Sequence, residues 1–179
     1  AAAKALRDQA AAHAKLVAER AAAAKALADK AKADAQRKAR EAKLIKLPRT
    51  GKCLDSYQQH DGGNVHMVGC NANNKNQHWT YDRNTKLVRG PHGRCLDCGG
   101  HNNGVHMWRC DKNNHNQQWE YDPRTKLLKA IRKRGLCLDG GKDGGADVHM
   151  VGCNTRNTNQ QFVSGQFRSL ARAAATGRA

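Results

Sequence analysis

Aromatic residues are scarce in this chain, with three Trp, three Tyr and two Phe among 179 residues. So few large rings, at 39% hydrophobic residues overall, exclude a large interior and leave room for one small-cored domain with an appendage. No run of about 18 apolar residues occurs, which excludes a membrane-spanning helix. Acidic residues are also few, 15 against 32 Lys and Arg, and the net charge of +17 implies attraction to polyanions without saying which. The G-x-S-x-G, H-E-x-x-H and P-loop patterns are missing, and the carboxylates that stand out lie about 42 residues apart. Acid–base or nucleophilic work needs paired groups in a shielded pocket, so the chain reads as a non-enzyme without cofactor or metal.

Glycine and proline are absent from residues 1–43, which hold 20 alanines and 11 Lys or Arg against five acids. That mixture forms helix strongly, and it predicts one basic helix over 1–43 about 60 Å long. Its large apolar residues, Leu6, Leu16, Val17 and Leu27, make a thin seam. The segment reads equally as a solvated or frayed helix or as one packed on a partner helix, and contact with a polyanion is a third reading. Ala1 opens the chain, so a processed or partial product is expected.

What the remainder has is a threefold repeat. Cys53-Leu54-Asp55, Cys95-Leu96-Asp97 and Cys137-Leu138-Asp139 open the units. Val65-His66-Met67, Val105-His106-Met107 and Val148-His149-Met150 form their centres, followed by Cys70, Cys110 and Cys153. Gln77-His78-Trp79, Gln117-Gln118-Trp119 and Gln160-Gln161-Phe162 close them. With a lead-in before each opener, every unit carries four short strands, so twelve are expected in all. The boundaries are 1–43 for the helix, 44–170 for the domain, with repeats at about 44–83, 84–123 and 124–163, and 171–179 for a flexible basic tail. Gln166 to Leu170 is expected to add a strand or to pack near the first lead-in.

Six of the seven cysteines recur as pairs 17, 15 and 16 residues apart. This argues for one disulfide per repeat (Cys53 to Cys70, Cys95 to Cys110, Cys137 to Cys153), although spacing leaves the connectivity open. A small core held by such staples points to a secreted or extracellular protein. Cys98 is the odd thiol, either free beside the second opener or a link to another chain.

Strand alternation puts Leu96, Val105 and Met107 inward and gathers Asp97, His106 and Trp108 on the disulfide side. A carboxylate, an imidazole and an indole on one outer surface suit a polyol, whose hydroxyls the carboxylate accepts and whose C–H face the indole covers. At these residues the chain resembles the ricin B-chain-like (R-type) lectins, β-trefoils with three Q-x-W repeats. The resemblance implies an all-β trefoil behind the helix and up to one shallow carbohydrate site per repeat, with glycans or glycoproteins as partners. It places Asp97, His106, Trp108, Asn116 and Gln117 in the best site. Weaker sites would use Asp55, His66, Asn76 and Gln77, and Asp139, His149, Asn159 and Gln160, because Val68 and Val151 replace the stacking ring. Tyr57 is a partial substitute in the first repeat. The aspartates would otherwise cap turns and the glutamines bond backbone, while the Trp and Phe of the closers are core. Threefold repetition separates the three histidines, against a shared metal site.

Lys126, Lys129, Arg132, Lys133 and Arg134 crowd the third lead-in, as a solvated edge or as a contact for acidic glycan or phosphate. The chain therefore reads as a lectin module, whether alone or attached to a larger secreted enzyme or toxin. The competing reading is an assembly component that uses the trefoil as scaffold and the basic helix to bind a polyanion (nucleic acid, acidic glycan) or a partner helix.

Overall fold

A computed structural model describes residues 2–141 and 148–167. It divides into two compact units, residues 1–39 and 40–179. The helix α1 spans Ala2–Glu41, two residues short of the expected end, and buries none of its side chains. Leu6, Leu16, Val17 and Leu27 are all exposed.

Twelve short strands follow among the described residues: β1 (Lys46–Leu47), β2 (Lys52–Asp55), β3 (Gly63–Asn64), β4 (His66–Gly69), β5 (Thr80–Tyr81), β6 (Val88–Arg89), β7 (Arg94–Asp97), β8 (His106–Arg109), β9 (Trp119–Asp122), β10 (Leu127–Ala130), β11 (Leu136–Asp139) and β12 (His149–Gly152). They form three antiparallel sheets, ordered β1-β2-β4, β3-β8-β7-β6-β5 and β12-β11-β10-β9. The total matches the expectation, but its make-up differs: β3 is extra, and the third closer contributes only the isolated bridges Leu127 to Gln161 and Lys46 to Val163.

Each opener pairs with its centre in one register, Leu54 opposite Met67, Leu96 opposite Met107 and Leu138 opposite Met150. Because side chains alternate, these pairs all point into one buried core together with Trp79, Trp119 and Phe162. The two indoles donate to Leu54 O at 2.8 Å and Leu96 O at 2.9 Å, so their buried N–H groups are satisfied. Each repeat ties its end to its own beginning by one recurring bond, in which Trp79, Trp119 and Phe162 donate their backbone N–H to Lys43, Lys86 and Lys126 O at 3.0, 2.9 and 2.9 Å. Lys46 and Val163 exchange two backbone hydrogen bonds of 2.8 Å, closing the ring of repeats. Three like units around one core make the domain a β-trefoil.

Disulfides join Cys53 to Cys70, Cys95 to Cys110 and Cys137 to Cys153, one within each repeat. Closing a loop of about 15 residues limits the unfolded chain by about 3 kcal/mol in the chain-entropy account.

The threefold pattern also breaks two residues after the ring of each closer. Tyr81 donates its hydroxyl to Trp119 O and Tyr121 to Phe162 O, both at 3.0 Å, tying each repeat to the next. The third repeat has Ser164 there, which bonds Ala42 O instead. Gln166 and Phe167 fill the gap. The Gln166 amide donates to Trp79 O, the acceptor a third tyrosine would have used, and accepts from Tyr81 N at 2.8 Å. The Phe167 ring stacks on Tyr121 at 4.0 Å and meets Tyr81 edge-on at 5.8 Å. Of the stretch expected to add a strand or to pack, Phe167 is buried in the core, while residues 168–170 and the expected tail 171–179 lie outside the described residues.

Candidate functional site

The second-repeat site begins at β7 and β8, where Asp97 pairs with His106 and Cys95 with Trp108 across the ladder. This register puts the carboxylate, imidazole and indole on one face, as alternation requires. Asp97 is more buried than an outer-surface reading implies, at 3% exposure. One carboxylate oxygen accepts from Gly99 N at 2.6 Å and the other from the Asn114 amide at 3.0 Å. The His106 Nε2 stands 3.7 Å from that carboxylate, and its ring lies 5.4 Å from Trp108 at a tilt of 56°. Trp108 is 43% exposed, so part of its indole meets solvent beside the cleft.

Asn116 is delivered by the turn after Cys110. Asn114 opens a short 3₁₀ helix, His115–Gln117, by accepting from Asn116 N with its side chain. The same Asn114 side chain holds Asp97, so one residue fixes both walls. Between them sits Gly99, where a Cβ would lie only 2.8 Å from the Asp97 carboxylate and 2.9 Å from the Asn116 amide. The missing side chain keeps this space open. The result is a cleft of about 470 Å³, bordered by Gly62 of the first repeat and by Gly100 and His101. Gly62 is held by donating its N–H to Met107 O at 2.8 Å.

Gln117 does not reach the cleft. It is fully buried, accepts from Asp111 N at 2.9 Å and donates to Arg109 O at 2.9 Å. Gln77 and Gln160 are buried likewise, bonded to Asn71 N and Gly69 O, and to Asn154 N and Gly152 O. Both ends of each amide are spent on backbone beneath the surface, so the glutamines brace the turns that carry the asparagines.

The other repeats rebuild the frame with different openings. Asp55 accepts from Asn74 at 2.9 Å with His66 at 3.6 Å, and Asp139 accepts from Asn157 at 2.9 Å and Gly141 N at 2.8 Å. His149 pairs with Asp139 across the ladder as His106 does with Asp97. The asparagines, however, are occupied. Asn76 is in contact with His92 at 3.3 Å, and Asn159 accepts from Arg49 at 3.2 Å. The Asn116 amide makes no such bond among the described residues. Tyr57 occupies the Gly99 position in the first repeat, half exposed and edge-on to His66 at 5.4 Å. It borders a cleft of about 470 Å³ floored by Val65, Val105 and Val148.

Sequence reasoning passed over Asn74, Asn114 and Asn157, the residues that orient each aspartate. Their signal was visible as a threefold N-x-N-Q motif: Asn74 to Gln77, Asn114 to Gln117 and Asn157 to Gln160. Cys98 is fully buried, so in this structure its thiol does not reach another chain. Burial pushes that thiol up to about 11, which keeps it protonated and unreactive near neutral pH. No group of three or more His, Cys, Asp or Glu suited to a metal comes together among the described residues.

Residues 41–162 match the ricin-type β-trefoil lectin domain. The chain belongs to that family. A search of curated proteins finds no match. Among solved structures, the designed threefold-symmetric protein ThreeFoil is similar at 26% identity and a TM-score of 0.57, covering 66% of this chain and 94% of that one. The hemolytic lectin CEL-III is similar at 26% identity and a TM-score of 0.55, covering 66% of this chain and 28% of that one. The earthworm R-type lectin C-half, solved in complex with GalNAc, shares the fold at 20% identity and a TM-score of 0.55, covering 67% and 94%. GalNAc-T7 also carries this fold, and the chain spans only 21% of its length. The chain thus covers 94% of some of these structures and 21% or 28% of others.

Proposed function

We propose that this ricin-type domain binds carbohydrate, with its strongest site in the second repeat at Asp97, His106, Trp108 and Asn116. The observation that carries the reading is Trp108, an exposed indole at a position where the sister repeats have Val68 and Val151. Packing gives no reason to expose a large ring there. Beside it stand a carboxylate held by two donors and an amide with no partner among the described residues, a set that accepts and donates to neighbouring hydroxyls while the ring covers a C–H face. The first and third repeats would be weaker, since they lack the ring and their asparagines are engaged. Three disulfides fit a secreted or extracellular domain, and the resemblance to parts of larger proteins fits a binding module of a longer chain.

A second reading rests on α1, a 40-residue helix with no buried residue and a basic surface. In that case α1 binds a polyanion or partner helix and the trefoil is scaffold. A glycan array of the full chain in about 0.5 M salt separates the two, because exposed charge contacts are strongly screened there. Binding to neutral glycans that falls at least about tenfold in Trp108→Ala supports the lectin reading. Binding that disappears with salt, with no neutral glycan retained, supports the polyanion reading instead.

A further inference from the structure

The turns that precede each opener lie against the site of another repeat. Arg49, between β1 and β2, donates to Asn159 of the third site at 3.2 Å, and His92, between β6 and β7, meets Asn76 of the first site at 3.3 Å. The corresponding turn between β10 and β11 carries Arg132, Lys133 and Arg134. Its Lys133 does not reach Asn116. The ammonium is 3.5 Å from Asn103 Oδ1, in the short turn His101–Asn103 whose His101 borders the cleft. The second site thus keeps its asparagine open and gains a cation at its edge. An ammonium has three N–H donors, and this contact uses one.

Resting on the carbohydrate reading above, we propose that the second site is specific for sugars bearing an anionic substituent, a sulfate or a carboxylate. The pyranose hydroxyls meet Asp97 and Asn116, its apolar face covers Trp108, and the anion sits beyond the ring against Lys133, with Arg132 adjacent in the same turn. Asp97 repels an anion placed over the cleft floor, so the substituent must point to the rim, where the cations are. The trefoil's excess of 21 basic over 10 acidic residues in 44–179 adds general attraction, but the turn gives it a fixed place.

The test is an array of matched neutral, sulfated and sialylated versions of many core sugars, probed with the full chain at about 50 mM salt. The wild type is expected to favour the anionic member of a bound set by about three- to tenfold. In Lys133→Gln that ratio falls towards one. In Lys86→Gln, which removes the same charge at the far end of the β5–β6 hairpin, it holds. A preference confined to the sulfated or the sialylated series identifies which anion is used. Equal binding of neutral and anionic members by the wild type, or a preference that Lys133→Gln retains, overturns the inference and leaves the carbohydrate reading intact. If no member of any set binds, both fail.

Discussion

Asp97→Asn is expected to lower affinity for a bound glycan by about 100-fold or more, since hydrogen bonds to a charged group contribute about 1.5–3 kcal/mol each and a carboxylate can serve two hydroxyls at once. The substitution also disturbs the frame. Both carboxylate oxygens accept from N–H donors, Gly99 N and the Asn114 amide, so an introduced NH₂ faces a donor whichever way the amide turns. Asp139→Asn separates these effects, because Asp139 accepts from Gly141 N and Asn157 in the same way. The two variants should lose similar thermal stability, about 1–3 kcal/mol each. Only Asp97→Asn should remove most glycan binding by titration. Equal losses of binding in both would mean that the second repeat is not the dominant site.

Phe167→Ala should destabilise the trefoil by about 3–5 kcal/mol, the usual range for truncating a buried phenylalanine. For a domain of this size that lowers the Tm by about 10–20 °C, read by calorimetry. Phe167 is 1% exposed and stacks on Tyr121, occupying the space that the third tyrosine of the pattern would fill. Gln166→Ala should cost less, about 1–3 kcal/mol, by leaving Trp79 O without its donor. A Phe167→Ala protein that melts with the wild type would show that this end of the fold does not depend on the residue.

The trefoil and its disulfides were legible because each element occurs three times, and threefold repetition turns short motifs into a pattern chance does not supply. Trp108 stood out for the converse reason, as the one member of its position that differs. The glutamines misled because sequence shows adjacency and not direction. Asn116 and Gln117 are neighbours, yet the 3₁₀ turn points one at the cleft and buries the other. Gln166 and Phe167 could not be read as a tyrosine's replacement, since two residues outside the repeat period share the work of one. Nor could the side chains at the site edges, because each comes from another repeat and only folding brings Arg49 to Asn159 or His92 to Asn76.

The central claim is that sugar binds over Trp108, and the three indole N–H signals test it directly. Two of those groups are buried and bonded, Trp79 to Leu54 O and Trp119 to Leu96 O, while Trp108 lies at the surface. In a ¹⁵N–¹H NMR titration with the best glycan from the array, the Trp108 indole signal should shift progressively while the Trp79 and Trp119 signals stay in place. Saturable binding that leaves the Trp108 signal unmoved would contradict the account.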